Sequence, residues 1–178
     1  MALYYGHRKS IDLDLFTNKG FDTHRVLENL HQHYAFQLYH TAPNTLKGNI
    51  QDVNVDLIAH RYPYLENPVE TDGVSLASDK DILAMKLNAI SVSGERVKDF
   101  VDVWFALKKH SLKEMIGFYK QKYGKESAAH VLKSLTFFDE VDLAGWPVLL
   151  KEQYLSWDGL KKNIENEVLT YTNVHDKT

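Results

Sequence analysis

The 178-residue sequence has no cysteine. Disulfides and thiolate metal centres are therefore excluded. It also lacks any apolar run approaching the roughly 20 residues that a membrane-spanning helix needs. No secretory leader is legible, because Gly6, His7, Arg8 and Lys9 follow Met1-Ala-Leu-Tyr-Tyr at once. Cytoplasm is the expected compartment, with no membrane partner. Positive charge is not in excess either: 21 Lys and Arg stand against 24 Asp and Glu, a net charge of −3. No global basic field therefore draws the chain to nucleic acid, although a local basic groove is compatible with that balance. Repeats and low-complexity stretches are absent. What remains is ordinary globular composition, 44% hydrophobic and 25% charged. A chain of this size buries roughly two thirds of its unfolded surface and needs no covalent staple.

The order of elements is legible from periodicity. Ile11-Asp-Leu-Asp-Leu-Phe16 alternates apolar and acidic residues and predicts a strand. Its Ile11, Leu13 and Leu15 share one face, and Asp12 and Asp14 the other. Val26, Leu27 and Leu30 predict a helix over 21–33. Strands are expected over 35–40 and 45–50, around a Pro43-Asn44 turn, and over 53–59. In the last of these, Val53, Val55, Leu57 and Ala59 oppose Asn54, Asp56 and Ile58. Pro63 and Pro68 mark a loop, and residues 69–77 predict a short edge strand.

The texture changes at Ser78. Ser78 and Asp81 have the spacing of a capping box, although Glu or Gln is the usual partner. The helix they open is lined by Ile82, Met85, Leu87 and Ile90. Further helices are expected over about 95–109, from Ser111 to near Gly124, over 127–135 and over 157–172. Strands fill the first half and helices the second, which predicts an α+β fold with a sheet over 1–77 and a helical lobe over 78–178.

The chemistry-bearing residues begin with the aspartates. Carboxylates at i and i+2 of a strand point the same way, with Cα atoms about 6–7 Å apart. Hard divalent cations prefer such oxygen donors, and two ions about 3.5–4 Å apart can clamp an in-line phosphoryl displacement. The plainer alternative is a strand with one wet face. Aspartate is disfavoured in strands, however, so two of them within an apolar strand call for a reason. Asp56 adds to that. If its strand neighbours the first, three carboxylates meet, and they repel unless a cation intervenes. The alternative for Asp56 is a solvent-facing position on an edge strand. The nine histidines offer no His-x-x-x-His pair with an acidic third ligand, so zinc is not expected. Phe118, Tyr119 and Tyr123 read as helix packing rather than a base-stacking platform.

Three runs occur in a telling order: Gly6-His-Arg-Lys-Ser-Ile-Asp-Leu-Asp-Leu-Phe16, Asp81-Ile-Leu-Ala-Met-Lys-Leu-Asn-Ala-Ile90 and Lys98-Asp-Phe-Val-Asp-Val-Trp104. Together they resemble the nucleotidyltransferases of the AbiEii/AbiGii abortive-infection toxin family, over most of residues 1–120. The C-terminal third carries no motif that can be placed. The resemblance implies a polymerase-β-like nucleotidyltransferase sheet followed by a helical lobe. It implies Asp12, Asp14 and Asp56 as ligands of Mg²⁺ or Mn²⁺, with Asp56 also assisting deprotonation of an acceptor hydroxyl. Lys86 is implied as the contact to the phosphates of an NTP, acting as a point charge. The catalytic set takes in Asp99, which with Asp102 matches the family's later acidic motif. These two stand at i and i+3 on one helix face. Arg8 and Ser10, just before the first strand, are placed at the nucleotide.

Each of these has a structural alternative. Lys86 reads equally as a solvated helix lysine, Asp99 and Asp102 as caps or partners of Arg96 and Lys98, and Arg8 as a counter-charge to the aspartates. The family also carries a glycine-rich segment, preceded by a helix, whose backbone N–H groups cradle the triphosphate. The corresponding part of this sequence begins inside that motif. The expected function is transfer of an NMP from an NTP to a hydroxyl of RNA, protein or nucleotide, by the toxin of a bacterial toxin–antitoxin pair with a cognate antitoxin protein as partner. A catalytically impaired remnant that binds protein or nucleotide is the alternative. A different Asp-x-Asp phosphotransfer or glycosyltransfer enzyme is a third, and the lysine helix and the Lys98-Asp99 run argue against it.

Overall fold

The computed structural model describes residues 1–175. In chain order its first elements are α1 (Ala2–Tyr5), β1 (Asp12–Thr17), α2 (Thr23–His33), β2 (Gln37–Ala42), β3 (Thr45–Ile50), β4 (Val53–Ala59), β5 (Val69–Thr71) and β6 (Val74–Leu76). The helices α3 (Asp79–Val92), α4 (Val97–Ala106), α5 (Leu112–Tyr123), α6 (Ala129–Leu135) and α7 (Trp157–His175) follow, with a 3-10 turn at Leu143–Gly145. The fold is mixed α+β, with a four-stranded mixed sheet and seven α-helices among the described residues. None of these helices is long and apolar enough to cross a membrane. The chain divides into two compact units, Ser10–Pro63 and the pair of segments Met1–Lys9 and Tyr64 onward. The sequence places the division at 77/78. The contacts group residues 1–9 and the β5–β6 ribbon with the helices.

The unit of residues 10–63 is a sheet with strand order β1-β4-β3-β2. β1 and β4 run parallel, and the other neighbours are antiparallel. Two tight turns set the registers. Ala42 pairs with Thr45 across Pro43-Asn44. Ile50 pairs with Val53 across Gln51-Asp52, whose φ angles of 50° and 66° make the turn that matches strand twist. α2 starts two residues later than its periodicity predicts. Asp22 caps it instead, accepting from the backbone N–H groups of His24 and Arg25. α2 packs on β3, and Leu46, Val55 and Phe36 are buried. Gly48 has a packing reason. A Cβ there would meet Phe36 Cζ at 2.3 Å and the Gln37 carbonyl at 2.4 Å. Leu13 and Leu15 of β1 stay about half exposed.

The other unit has its core among α3, α4, α5, α6 and α7. Leu83, Leu87, Phe100, Val101, Met115, Ile116, Val131, Leu135 and Leu160 are wholly or almost wholly buried there. Tyr119 and Tyr123 join that core, as expected. Residues 69–77 form two short strands rather than one, because Asp72-Gly73 turns the chain at φ 47° and 76°. Ser78 caps α3 by accepting from the Asp81 N–H. The reciprocal bond of a capping box is made elsewhere, at Ser111 and Glu114 of α5. The Asp81 carboxylate is drawn away by Lys122 Nζ at 2.6 Å and by the N–H groups of Leu65 and Glu66. Burial alone would raise Asp81's pKa. The hydrogen bonds from Lys122, Ser78 and Leu65 outweigh it and hold the carboxyl below its usual range.

Candidate functional site

Alternation and register build the first cluster. β1 and β4 are parallel neighbours with Asp14 opposite Asp56 and Asp12 opposite Asn54. Residues paired across adjacent strands point to the same face. Asp12, Asp14 and Asp56 therefore share one face of the sheet, with Asn54 among them. Asn54 Nδ2 donates to Asp12 Oδ1 at 3.2 Å, and Asp14 is exposed.

A fourth charged residue of this face is not marked by the alternation of β1 and β4. Lys47 of β3 lies opposite Asp56 on its other side. Its ammonium donates to Asp56 Oδ2 at 2.6 Å. The signal was present in principle. Counting back from a two-residue turn at Gln51-Asp52 pairs Lys47 with Asp56, but Gln-Asp is not the usual Asn-Gly or Asp-Gly sign of such a turn. The pair is partly solvated, with side chains 42% and 23% exposed. An ion pair this open contributes about 0–1 kcal/mol.

Donor chemistry on this face fits a hard divalent ion, since carboxylate and amide oxygens are what Mg²⁺ and Mn²⁺ prefer. Convergence does not match three ligands. Among the described residues no three His, Asp or Glu side chains come together tightly enough to hold an ion as they stand, and Asp56 is turned onto Lys47.

The second cluster lies within the helical unit and holds the remaining candidates except Ser10. Lys86 of α3 is not solvated. Its ammonium lies 2.6 Å from Asp99 Oδ1 and 2.8 Å from Asp102 Oδ2, both on α4. Arg96 reaches Asp99 as well, at 3.0 Å. Arg8 pairs with Asp102 and not with the strand aspartates: Nε donates to Oδ1 at 2.7 Å and Nη2 to Oδ2 at 3.0 Å. This two-pronged geometry is among the strongest charge-assisted hydrogen bonds. His7 Nε2 completes the shell at 2.8 Å from Asp102 Oδ1. Nothing in the sequence marked His7, which is fully buried beside the rings of Tyr5 and Phe105. Among the described residues its Nδ1 meets no hydrogen-bond partner. Ser10 belongs to the other unit and is exposed.

The electrostatics of this cluster follow from burial and pairing. Burial would raise the Asp102 pKa. The hydrogen bond from His7, the charge of Lys86 and the Arg8 guanidinium outweigh it and hold the carboxyl far below its usual range. Burial would lower the Lys86 pKa, and the charges of Asp102 and Asp99 outweigh it and raise it above the ordinary lysine value. Lys86 is thus a fixed, fully charged ammonium at neutral pH.

No family model matches the chain, and no solved structure matches it. Among curated proteins it is similar to an uncharacterized protein, aq_aa25, of Aquifex aeolicus (strain VF5). The two are 34% identical over 146 residues, 79% of this chain and 70% of the relative. Identity at that level across most of both chains places this protein in the same family as the Aquifex protein.

Proposed function

We propose that the protein is a nucleotidyltransferase of the AbiEii/AbiGii type, with a polymerase-β-like sheet, acting in the cytoplasm as the toxin of a toxin–antitoxin pair. One observation carries the reading: Asp12, Asp14 and Asp56 lie on one face of two parallel neighbouring strands. An acceptor hydroxyl attacks the α-phosphorus of an NTP, the bond to the β-phosphate breaks, and pyrophosphate leaves. In this reading Asp56 takes the hydroxyl proton. Asp12 and Asp14 are the residues that would hold Mg²⁺ or Mn²⁺, which when bound supplies charge neutralisation for the triphosphate. Lys86 is the phosphate contact of the same reading, with Asp99 and Asp102 fixing its ammonium and Arg8 held alongside on Asp102. The rest of the rate comes from orientation. RNA, a protein hydroxyl or a nucleotide serves as acceptor, and an antitoxin protein is the partner.

One observation favours a second reading, a binding module without transfer. Lys86 is already neutralised by two carboxylates, and Asp56 by a lysine. A transfer assay with labelled NTPs and Mn²⁺ separates the two. The enzyme reading expects label on an acceptor and its loss, by at least about a hundredfold, in Asp12→Ala. Nucleotide binding without transfer in the unaltered protein would establish the binding module instead.

A further inference from the structure

We infer that Lys47 is a resident counter-cation of the carboxylate face, which competes with a divalent ion for Asp56 and so weakens metal binding. The inference rests on the metal-dependent reading above and concerns a residue that reading does not use. Three consecutive strands place Asp14, Asp56 and Lys47 in one row. Neighbouring strands lie about 4.8 Å apart, so an ion shared by Asp14 and Asp56 would sit within one strand spacing of the ammonium.

Two arrangements then compete for the same oxygen. In the first, seen here, Asp56 Oδ2 accepts from Lys47 at 2.6 Å. In the second, Asp56 turns toward β1 and joins Asp12 and Asp14 around the ion, and Lys47 releases the oxygen but stays beside it on the same face. The lysine can be displaced because the pair is partly solvated and held by one ammonium–carboxylate contact. It nevertheless opposes the ion, since a unit charge about 5 Å from a divalent one disfavours it by roughly tenfold in affinity, even in a watery dielectric. Lys47 thereby keeps Asp56 occupied until an ion, with whatever else it brings, repays the exchange. Of the three aspartates, Asp56 is the one whose strand β3 borders.

Isothermal titration with Mn²⁺ tests this on the full chain. Lys47→Met, which keeps the aliphatic stem, should tighten binding roughly tenfold. Lys47→Arg should leave it near the unaltered value, and adding Asp56→Asn to Lys47→Met should cancel the gain. Lys47→Gln, compared for folding by circular dichroism, guards against a packing effect of the methionine. Unchanged or weaker binding in both neutral variants, with Asp12→Asn still abolishing it, would overturn the inference and leave the metal site standing. Mn²⁺ binding that ignores Asp12→Asn, or its absence from the unaltered chain and from Lys47→Met alike, would remove the metal reading and the inference together.

Discussion

Asp102 shows how much one residue can organise. It accepts from His7 and Arg8, pairs with Lys86, and has no exposed side-chain surface. Replacing it with Asn would leave the Arg8 guanidinium facing a buried amide and Lys86 with the Asp99 carboxylate alone. We expect Asp102→Asn to cost roughly 3–5 kcal/mol in chemical denaturation. The pH dependence has a definite sign. Asp102's folded pKa lies below the unfolded value of about 3.9. Its contribution is therefore present above that pH and declines as pH falls below it, by about 1.4 kcal/mol per pH unit. Denaturation midpoints measured between pH 5 and 2.5 should show that slope in the unaltered protein and a shallower one in Asp102→Asn. At this scale the sequence was half legible. Alternation alone put Asp12 and Asp14 on one face, because strand geometry admits no other outcome. The partners of Lys86 and Arg8 were not legible, since Arg8 reaches a carboxylate 94 residues away and no local pattern encodes such a meeting.

At the scale of elements, β3 depends on a residue with no side chain. The Phe36 ring occupies the space beside Gly48, and an added methyl would press on that ring and on a cross-strand carbonyl. The carbonyl belongs to the backbone and cannot swing aside. Gly48→Ala should therefore destabilise the sheet unit by roughly 1–3 kcal/mol or more, read as a lower melting temperature with the α3–α5 contacts unchanged by NMR. Here the sequence was informative wherever a period ran long enough. β3, β4 and α7 begin at Thr45, Val53 and Trp157, where turn residues and apolar spacing put them. Short elements escaped. α1 has four residues ending at Gly6 in the left-handed region, too few for a helical period to repeat. The β5–β6 turn carried an Asp-Gly signal that was readable, but strands of three residues scarcely alternate. At α4 the missing signal was a cap, because Arg96 precedes the helix without a side-chain bond to its backbone.

For the whole molecule, charge is distributed with consequence. Asp81 and Asp102, whose pKa values are held low by their partners, both belong to the unit of helices. Acid should therefore loosen that unit first. In hydrogen exchange, amides of α3, α4 and α5 should lose protection between pH 4 and pH 2.5 before those of the β3–β4 hairpin do. Simultaneous loss across both units would show that the buried carboxylates do not govern acid stability.

The helical unit is also discontinuous, with residues 10–63 lying between its two segments, and this has a consequence for synthesis. The sheet unit is one uninterrupted stretch and can form as soon as it leaves the ribosome. His7 and Arg8 emerge earlier, yet Asp102 follows Arg8 by 94 residues. At about 5–20 residues per second, that is a wait of roughly 5–20 s. Through that interval Arg8 of the nascent chain has not yet met the Asp102 carboxylate, and only the arrival of α4 brings the two together. The vulnerable period of this protein's life thus falls after its sheet has formed and before residues 1–9 have joined the helices.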